Sequence, residues 1–232
     1  MTLPGPRVLG VPRLHLRSTT STNERARELA VAGAPHGTLV TAGAQTAGRG
    51  RQGRTWSAPP GRALLCSLII REPARLLPLI AGVAVADVVG SAARLKWPND
   101  VLVDGRKVAG LLVEGRPQER WAVVGIGLNV AVRLSDLPIE LRETAGTLGL
   151  GPEMIEPTLG RLLGSFQRWL AADEQAVLEA VRARDALLDR SVRWAAGEGR
   201  GAGIDGDGRL VVETGDGRVV LDAGEVHLTQ PA

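Results

Sequence analysis

The chain has 232 residues, 44% of them hydrophobic and 23% charged, with a formal net charge of +3. That length and apolar content suit one large domain plus a small one around a buried core. So small a charge excess does not by itself imply a nucleic-acid partner, and the positive charge is concentrated mainly at 49–54. Cys66 is the only cysteine, which excludes an intramolecular disulfide, and His15, His36 and His227 are too scattered for metal-ligand spacing.

Aromatic residues make up only 3% of the chain and tyrosine is missing, so Val, Leu, Ile and Ala must fill the interior. The N-terminus has no apolar signal region. The longest apolar stretch, 76–90, is broken by Pro78 and Asp87 and is too short to span a bilayer. A reducing, cytoplasmic setting without a membrane partner is expected.

Residues 1–13, with Pro4, Pro6 and Pro12, predict an extended lead-in. A polar cluster at 17–23 precedes a helix predicted over 24–31, with Thr22 or Asn23 as its cap. Residues 37–42 predict a short strand, which leads into the stretch 45–57. There Arg49, Arg51 and Arg54 alternate with Gly48, Gly50 and Gly53, and Trp56 follows. Glycines let backbone N–H groups come close to a ligand. Arginines bring forked donors suited to phosphate and carboxylate, and Trp56 offers a flat face. Two readings stand here: a flexible loop that closes on an anion, and a basic loop that touches nucleic acid or is only solvated.

Residues 62–71 predict a buried strand that takes Cys66 into the core. An apolar helix is expected over 76–93, with Ala81, Gly82, Ala84 and Ala86 permitting close packing. Residues 95–97 read as a strand end, followed by Pro98-Asn99-Asp100. The runs 101–103 and 108–114 flank Asp104-Gly105, a hairpin turn signal. A strand over 120–130 carries Gly125 and Gly127 on one face, which leaves that face open for a ligand or for tight packing. Residues 131–152 are rich in loop signals. Helices follow over 156–172 and 174–188, with Phe166, Trp169 and Leu170 as core. From Ser191 onward, short alternating runs between Gly turns predict a small antiparallel β-barrel or sandwich. The expected division is 1–188 and 189–232.

The polar islands are Ser21-Thr22-Asn23, Gln45, the Gly-Arg stretch, Lys96, Asn99-Asp100 and Lys107. Each lies at the edge of a predicted element, where ligand-contacting groups usually sit. No Ser-His-Asp set, Cys-His pair or Walker A sequence is present. Fixed positive charge with one acid, Asp100, suits phosphoryl or acyl-phosphate chemistry.

Four motifs then follow one another: Gly48-Arg-Gly-Arg-Gln-Gly-Arg-Thr-Trp56, Lys96-Trp-Pro-Asn-Asp100, Arg106-Lys-Val-Ala-Gly110 and Gly125-Ile-Gly-Leu-Asn129. In this order, with Ser21-Thr22-Asn23 and Gln45 upstream, the chain resembles the biotin protein ligases from about residue 15 to its C-terminus. The C-terminal part of the match includes Gly203-Ile204-Asp205 and Ala223-Gly224-Glu225-Val226. The resemblance implies an α/β fold of the class II synthetase/biotin ligase-like type. That is a mixed, mainly antiparallel sheet with helices on one side, and a small SH3-like barrel at the C-terminus.

The activity it implies has two steps: ATP and biotin form biotinyl-5′-AMP, and the biotinyl group passes to a lysine of a biotin carboxyl carrier protein. By resemblance, Ser21, Thr22, Asn23, Gln45 and the Arg51 backbone meet biotin's ureido ring. Gly110, Gly125 and Gly127 border a slot for its thioether ring and chain. Lys107 holds the carboxylate and then the mixed anhydride, while Arg49, Arg51 and Arg54 close over the phosphate. Trp56 stacks on adenine and Asn129 bonds nearby. Asp100 holds Mg²⁺ or orients the phosphates, and Lys96 is a second phosphate ligand. Gly48, Gly50, Asn99 and Leu112 complete the ligand-binding set.

Two other readings compete with biotin ligation. One is a lipoate or octanoate ligase or transferase, which would lack the Gly-Arg stretch beside Lys-Trp-Pro-Asn-Asp and the C-terminal β domain. The other is a nucleic-acid module, which explains neither Lys107 nor Asn129. Bifunctional members carry an N-terminal DNA-binding domain. Because the match starts near residue 15, a ligase without repressor activity and without a DNA partner is expected, as a monomer or a ligand-linked homodimer. Thr20 stands where such relatives often have aspartate. Loop 48–57 is expected to be mobile until biotinyl-AMP orders it.

Overall fold

The computed structural model describes residues 8–222 and 224–229, and only the backbone at 116 and 117. The first part of the expected lead-in, 1–7, and Ala223 lie outside the described residues. Seven strands form the larger sheet: β1 (Arg13–Leu16), β2 (Leu39–Ala42), β3 (Leu64–Arg71), β4 (Arg94–Lys96), β5 (Asp100–Val103), β6 (Arg106–Arg116) and β7 (Trp121–Leu128). Their order is β1-β2-β3-β7-β6-β5-β4. β1 runs parallel to β2 and every other neighbouring pair is antiparallel. β1 was not foreseen. Four residues at a sheet edge, with only half their side chains covered, leave too short an alternation to stand out.

β3 and β7 dictate the two faces of the sheet. Successive side chains on a strand point opposite ways. Leu64, Cys66, Leu68 and Ile70, with Ala122, Val124, Ile126 and Leu128, enter the main core. The alternate positions Ile69 and Val123 enter a separate cluster with Ala26 and Ala30. That second cluster belongs to α1 (Thr22–Val31), which therefore packs on the face opposite the main core. The main core is closed by α2 (Leu77–Val89), α3 (Ile155–Ala171) and α4 (Glu174–Arg182). The expectation of helices on one side is thus corrected: both faces carry helix, and α1 covers only part of its face.

The helix boundaries differ from expectation for local reasons. α2 stops at Val89 because Gly90 takes φ +107, where a helix is easily ended by glycine. α1 begins earlier than foreseen, and its cap is Ser21, whose side chain makes no capping bond. The turn between β5 and β6 matches its signal. Asp104 and Gly105 have φ of 49° and 72°, the pair of positive values a two-residue hairpin of type I′ requires.

The C-terminal strands β8 (Ser191–Trp194), β9 (Gly197–Ile204), β10 (Leu210–Thr214), β11 (Gly217–Leu221) and β12 (His227–Leu228) form an antiparallel sheet ordered β11-β10-β9-β8-β12. Its buried residues Val192, Ile204, Leu210, Val212 and Val226 join the main core rather than a core of their own. Trp97 Nε1 donates to Gly208 O at 3.1 Å, and Arg75 bridges Glu174 and Asp207. No helix among the described residues is long and apolar enough to cross a membrane.

Candidate active site

Beyond the end of α1 the sheet face is open, and cross-strand pairing arranges it in rows. Lys96 pairs with Asp100, Asp100 with Gly110, Gly110 with Gly127, and Gly127 with Leu65. The next row is Leu112, Gly125 and Ser67. The third is Glu114, Val123 and Ile69, at the edge of α1. Lys107 joins this face through an irregularity. Leu102 pairs with Lys107 and Val101 with Ala109, so Val108 is an extra residue in β6. Val108 and Ala109 are both fully buried in the core. A bulge of this kind re-aims the flanking side chain, and Lys107 emerges on the same face as Gly110, its Nζ 3.2 Å from where a Cβ on Gly110 would stand.

The glycines make room for the protein's own side chains. A Cβ on Gly127 would sit inside the Trp56 indole, and one on Gly110 would lie 2.9 Å from Trp56 Cζ3. A Cβ on Gly125 would overlap the Asn23 carboxamide. The space over these glycines, where a slot was expected, is therefore taken up by Trp56 and Asn23. The Trp56 Nε1 is buried without a partner, and the Lys107 ammonium lies 5.7 Å from the ring centroid.

The polar end of the face is built around the start of α1. Gln45 Oε1 accepts from Thr22 N at 2.7 Å and from Thr22 Oγ1 at 3.0 Å. It thereby serves one of the free N–H groups that a helix start leaves. This explains why neither Thr22 nor Asn23 caps the helix: both lie inside it with side chains committed elsewhere. Asn23 Nδ2 donates to Glu114 Oε2 at 2.9 Å and to Leu112 O at 3.2 Å, and its Oδ1 accepts from Ser67 Oγ at 2.7 Å. Both amide hydrogens of Asn23 are thus used within the protein. Ser67 and Glu114 were not foreseen. Ser67 had one legible signal, a lone hydroxyl in the apolar run of β3, whereas nothing local marks Glu114.

The cationic end centres on Asp100. Lys107 Nζ lies 2.6 Å from its Oδ1 and Lys96 Nζ 3.8 Å from its Oδ2. The first contact is an ion pair without hydrogen-bond alignment, so Oδ1 keeps no hydrogen-bonded donor. Burial pushes the Lys96 ammonium below the usual lysine range, an effect only partly offset by Asp100. Asn99 is locked by Nδ2 to Leu111 O at 2.9 Å. Asn129 is buried, and its Nδ2 donates to Gly146 O at 2.9 Å. Its Oδ1 is buried and has no partner.

The Gly-Arg stretch is a small hairpin. Trp56 N donates to Gly48 O at 2.9 Å, Gly50 N to Arg54 O at 2.6 Å and Arg54 N to Arg51 O at 3.1 Å. Gln52 and Gly53, with φ of 53° and 75°, form its tip. Its arginines do not stand unpaired. Arg49 meets Glu114 at 3.2 Å and Arg54 pairs with Glu225 of the C-terminal segment. Arg51 is held below its ordinary pKa by burial first and by Arg54 second.

The polar end, the cationic end and the hairpin border one cavity of about 750 Å³. Of the predicted residues, Ser21, Thr22, Asn23, Gln45, Arg49, Gly50, Arg51, Arg54, Trp56, Lys96, Asn99, Asp100, Lys107, Gly110, Leu112, Gly125, Gly127 and Asn129 are on its wall. Gly48 is not; its carbonyl closes the hairpin behind the wall.

The model of the biotin/lipoate A/B protein ligase family matches residues 15–130, half of the chain. The chain belongs to this family. Every residue predicted for the site falls within the matched segment. The model of the biotin protein ligase C-terminal domain matches residues 179–228, the region of the second sheet. A bifunctional ligase/repressor BirA of Bacillus subtilis is 40% identical over 153 residues, which are 61% of this chain and 47% of that protein. The chain therefore spans about half the length of such relatives. A biotin–[acetyl-CoA-carboxylase] ligase of Paracoccus denitrificans is 35% identical over 223 residues, covering 85% of this chain and 92% of that one. Among solved structures, a biotin protein ligase from Aquifex aeolicus in complex with biotin and ATP superposes with a TM-score of 0.80 at 27% identity. That match covers 94% of this chain and 99% of the other.

Proposed function

We propose that the chain is an ATP-dependent biotin protein ligase, which activates biotin as biotinyl-5′-AMP and transfers it to a lysine of a biotin carboxyl carrier protein. The observation that carries this reading is the single cavity in which a polar end and a cationic end meet under one indole. In the first step a carboxylate oxygen of biotin attacks the α-phosphorus of ATP. The bond from phosphorus to the bridging oxygen breaks and pyrophosphate leaves. In the second, the lysine amine attacks the acyl carbon, AMP leaves, and the amine gives up a proton.

The residues divide the work by their free valences. The Ser21 hydroxyl and the Gln45 amide nitrogen face the ureido ring, with Gln45 Oε1 already committed to Thr22. Asn23 acts mainly behind them, since its amide hydrogens are taken. Lys107, beside Asp100, offers an ammonium to the carboxylate and the α-phosphate together, and such fixed charge favours the developing anhydride. Lys96, Arg49, Arg51 and Arg54 meet the remaining phosphates. Trp56 lies over the glycines and lines the cavity, which suits it as a platform for adenine. Asn129, whose buried Oδ1 has no partner within the protein, lines the cavity beside this platform.

A resident metal does not fit this donor set. Asp100 is already matched by two lysines, and no cluster of three metal-ligating side chains exists among the described residues. Mg²⁺ would come with ATP, held mainly by phosphate oxygens and water. Lipoate has no ureido group and would leave the polar end unmatched, a mismatch that buried polar sites penalise strongly. The division at 188/189 is supported by the end of α4 at Arg182 and the start of β8 at Ser191. It is a division of connectivity, because the core runs across it.

The test is transfer to an isolated carrier domain in the presence of biotin and ATP, followed by intact mass. A gain of one biotinyl group, abolished when the acceptor lysine is changed to arginine, is the expected result. No mass gain with biotin, or a gain with lipoate instead, would overturn the assignment.

A further inference from the structure

We propose that Glu114 is a positioning residue that ties the Gly-Arg hairpin to the polar end of the cavity. It stands at the junction of two parts that the sequence keeps far apart. One carboxylate oxygen accepts from Asn23 Nδ2 at 2.9 Å, and the other lies 3.2 Å from the Arg49 guanidinium. Asn23 is 4% exposed, and its carboxamide spreads over Gly125. Its orientation is fixed on one side by Ser67 and on the other by Glu114. Arg49 belongs to the hairpin and bridges to Thr55 across it. A single carboxylate on β6 thus fixes the orientation of a buried amide and anchors a mobile-type, glycine-rich element.

Glu114 is not on the cavity wall, so it acts through Asn23 and Arg49 and not on the substrate. Its charge matters for Arg49, while either a carboxylate or an amide oxygen can accept from Asn23. Replacing it by glutamine therefore separates the two roles. Glu114→Gln keeps an acceptor for Asn23 and releases Arg49. Glu114→Ala removes both. With Asn23 also freed in Glu114→Ala, substrate must supply the order at the polar end that the protein otherwise supplies itself, and KM for biotin rises there while kcat falls less. This consequence rests on the ligase reading; the tether itself does not.

The experiment is amide exchange of the full chain, without added biotin or ATP, for the parent, Glu114→Gln and Arg49→Gln. Expected is exchange about tenfold faster at 48–56 in both variants, with β7 amides unchanged and no further gain in the double variant. Unchanged exchange at 48–56 in Glu114→Gln would overturn the tether, and so would faster exchange throughout the sheet. The second readout is biotin KM in Glu114→Ala. A rise of about tenfold, at least half of it recovered in Glu114→Gln, is expected. An unaltered KM in Glu114→Ala would overturn the coupling to the polar end. A shifted exchange pattern in a protein that never uses biotin would leave the tether standing and remove only the ligase reading.

Discussion

Val108 decides where Lys107 points. Without the extra residue, Lys107 and Gly110 would lie on opposite faces of β6, because three positions separate them. The backbone of Lys107 is pinned from the other side as well: its N–H donates to Thr144 O and its carbonyl accepts from Gly146 N, both at 2.8 Å. Lys107→Ala should lower biotin-dependent adenylation roughly a hundredfold, the size expected when one preorganised charge is removed. Unfolding free energy should change by about 1 kcal/mol or less, since Lys96 still faces Asp100. A rate within twofold of the parent would remove Lys107 from the chemistry. Asp185 provides a stability test away from the site. Burial raises its pKa, against hydrogen bonds from the Leu187 and Leu188 backbones, and its Oδ2 has no partner. The unfolded chain then loses this proton at lower pH than the folded one, so stability falls as pH rises through that window and the penalty is complete above it. Asp185→Asn should raise Tm relative to the parent at about pH 7 and lose that advantage near about pH 3. An equal Tm difference at both pH values would contradict the shift.

The Gly-Arg hairpin, the open sheet face and the start of α1 are the elements that make the cavity. Trp56 connects the first two because Gly110 and Gly127 carry no side chain. Gly127→Ala should displace the indole and raise KM for ATP by about tenfold. In a Trp56→Ala background the same change should add little, because the clash is gone. Additive losses, measured as a double-mutant cycle in KM, would place the cost of Gly127→Ala elsewhere. At this scale the sequence was informative where residue type alone carries the message. The glycine alternation in β7, the arginine spacing and the Asp-Gly turn each required a particular backbone, and the backbone has it. It was silent where the meaning depends on a partner distant in sequence. Glu114 is an ordinary strand-end acid until Asn23 and Arg49 are brought to it. Asn23 looks like a cap until its amide hydrogens are counted. The hairpin, expected to be mobile until ligand orders it, pairs two of its arginines with carboxylates that lie about 65 and 171 positions downstream.

At the scale of the whole molecule, the second sheet is part of the site. Glu225 pairs with Arg54, Arg51 reaches Gly224 O at 3.4 Å, and Glu225, His227 and Leu228 line the cavity. The two sheets also share one core, so removing the second would expose the first. Glu225→Gln separates the functional contact from the structural one. It should raise KM for ATP roughly two- to fivefold, the scale of a partly exposed ion pair, and leave biotin KM unchanged. Equal changes for both substrates would point to a general loosening instead. We propose a single cavity that activates biotin with ATP. Its most direct test is exchange of labelled pyrophosphate into ATP by the purified protein, with biotin and lipoate in parallel. Exchange that depends on biotin and is absent with lipoate is the predicted result. Exchange with lipoate alone, or none with either, would contradict the account.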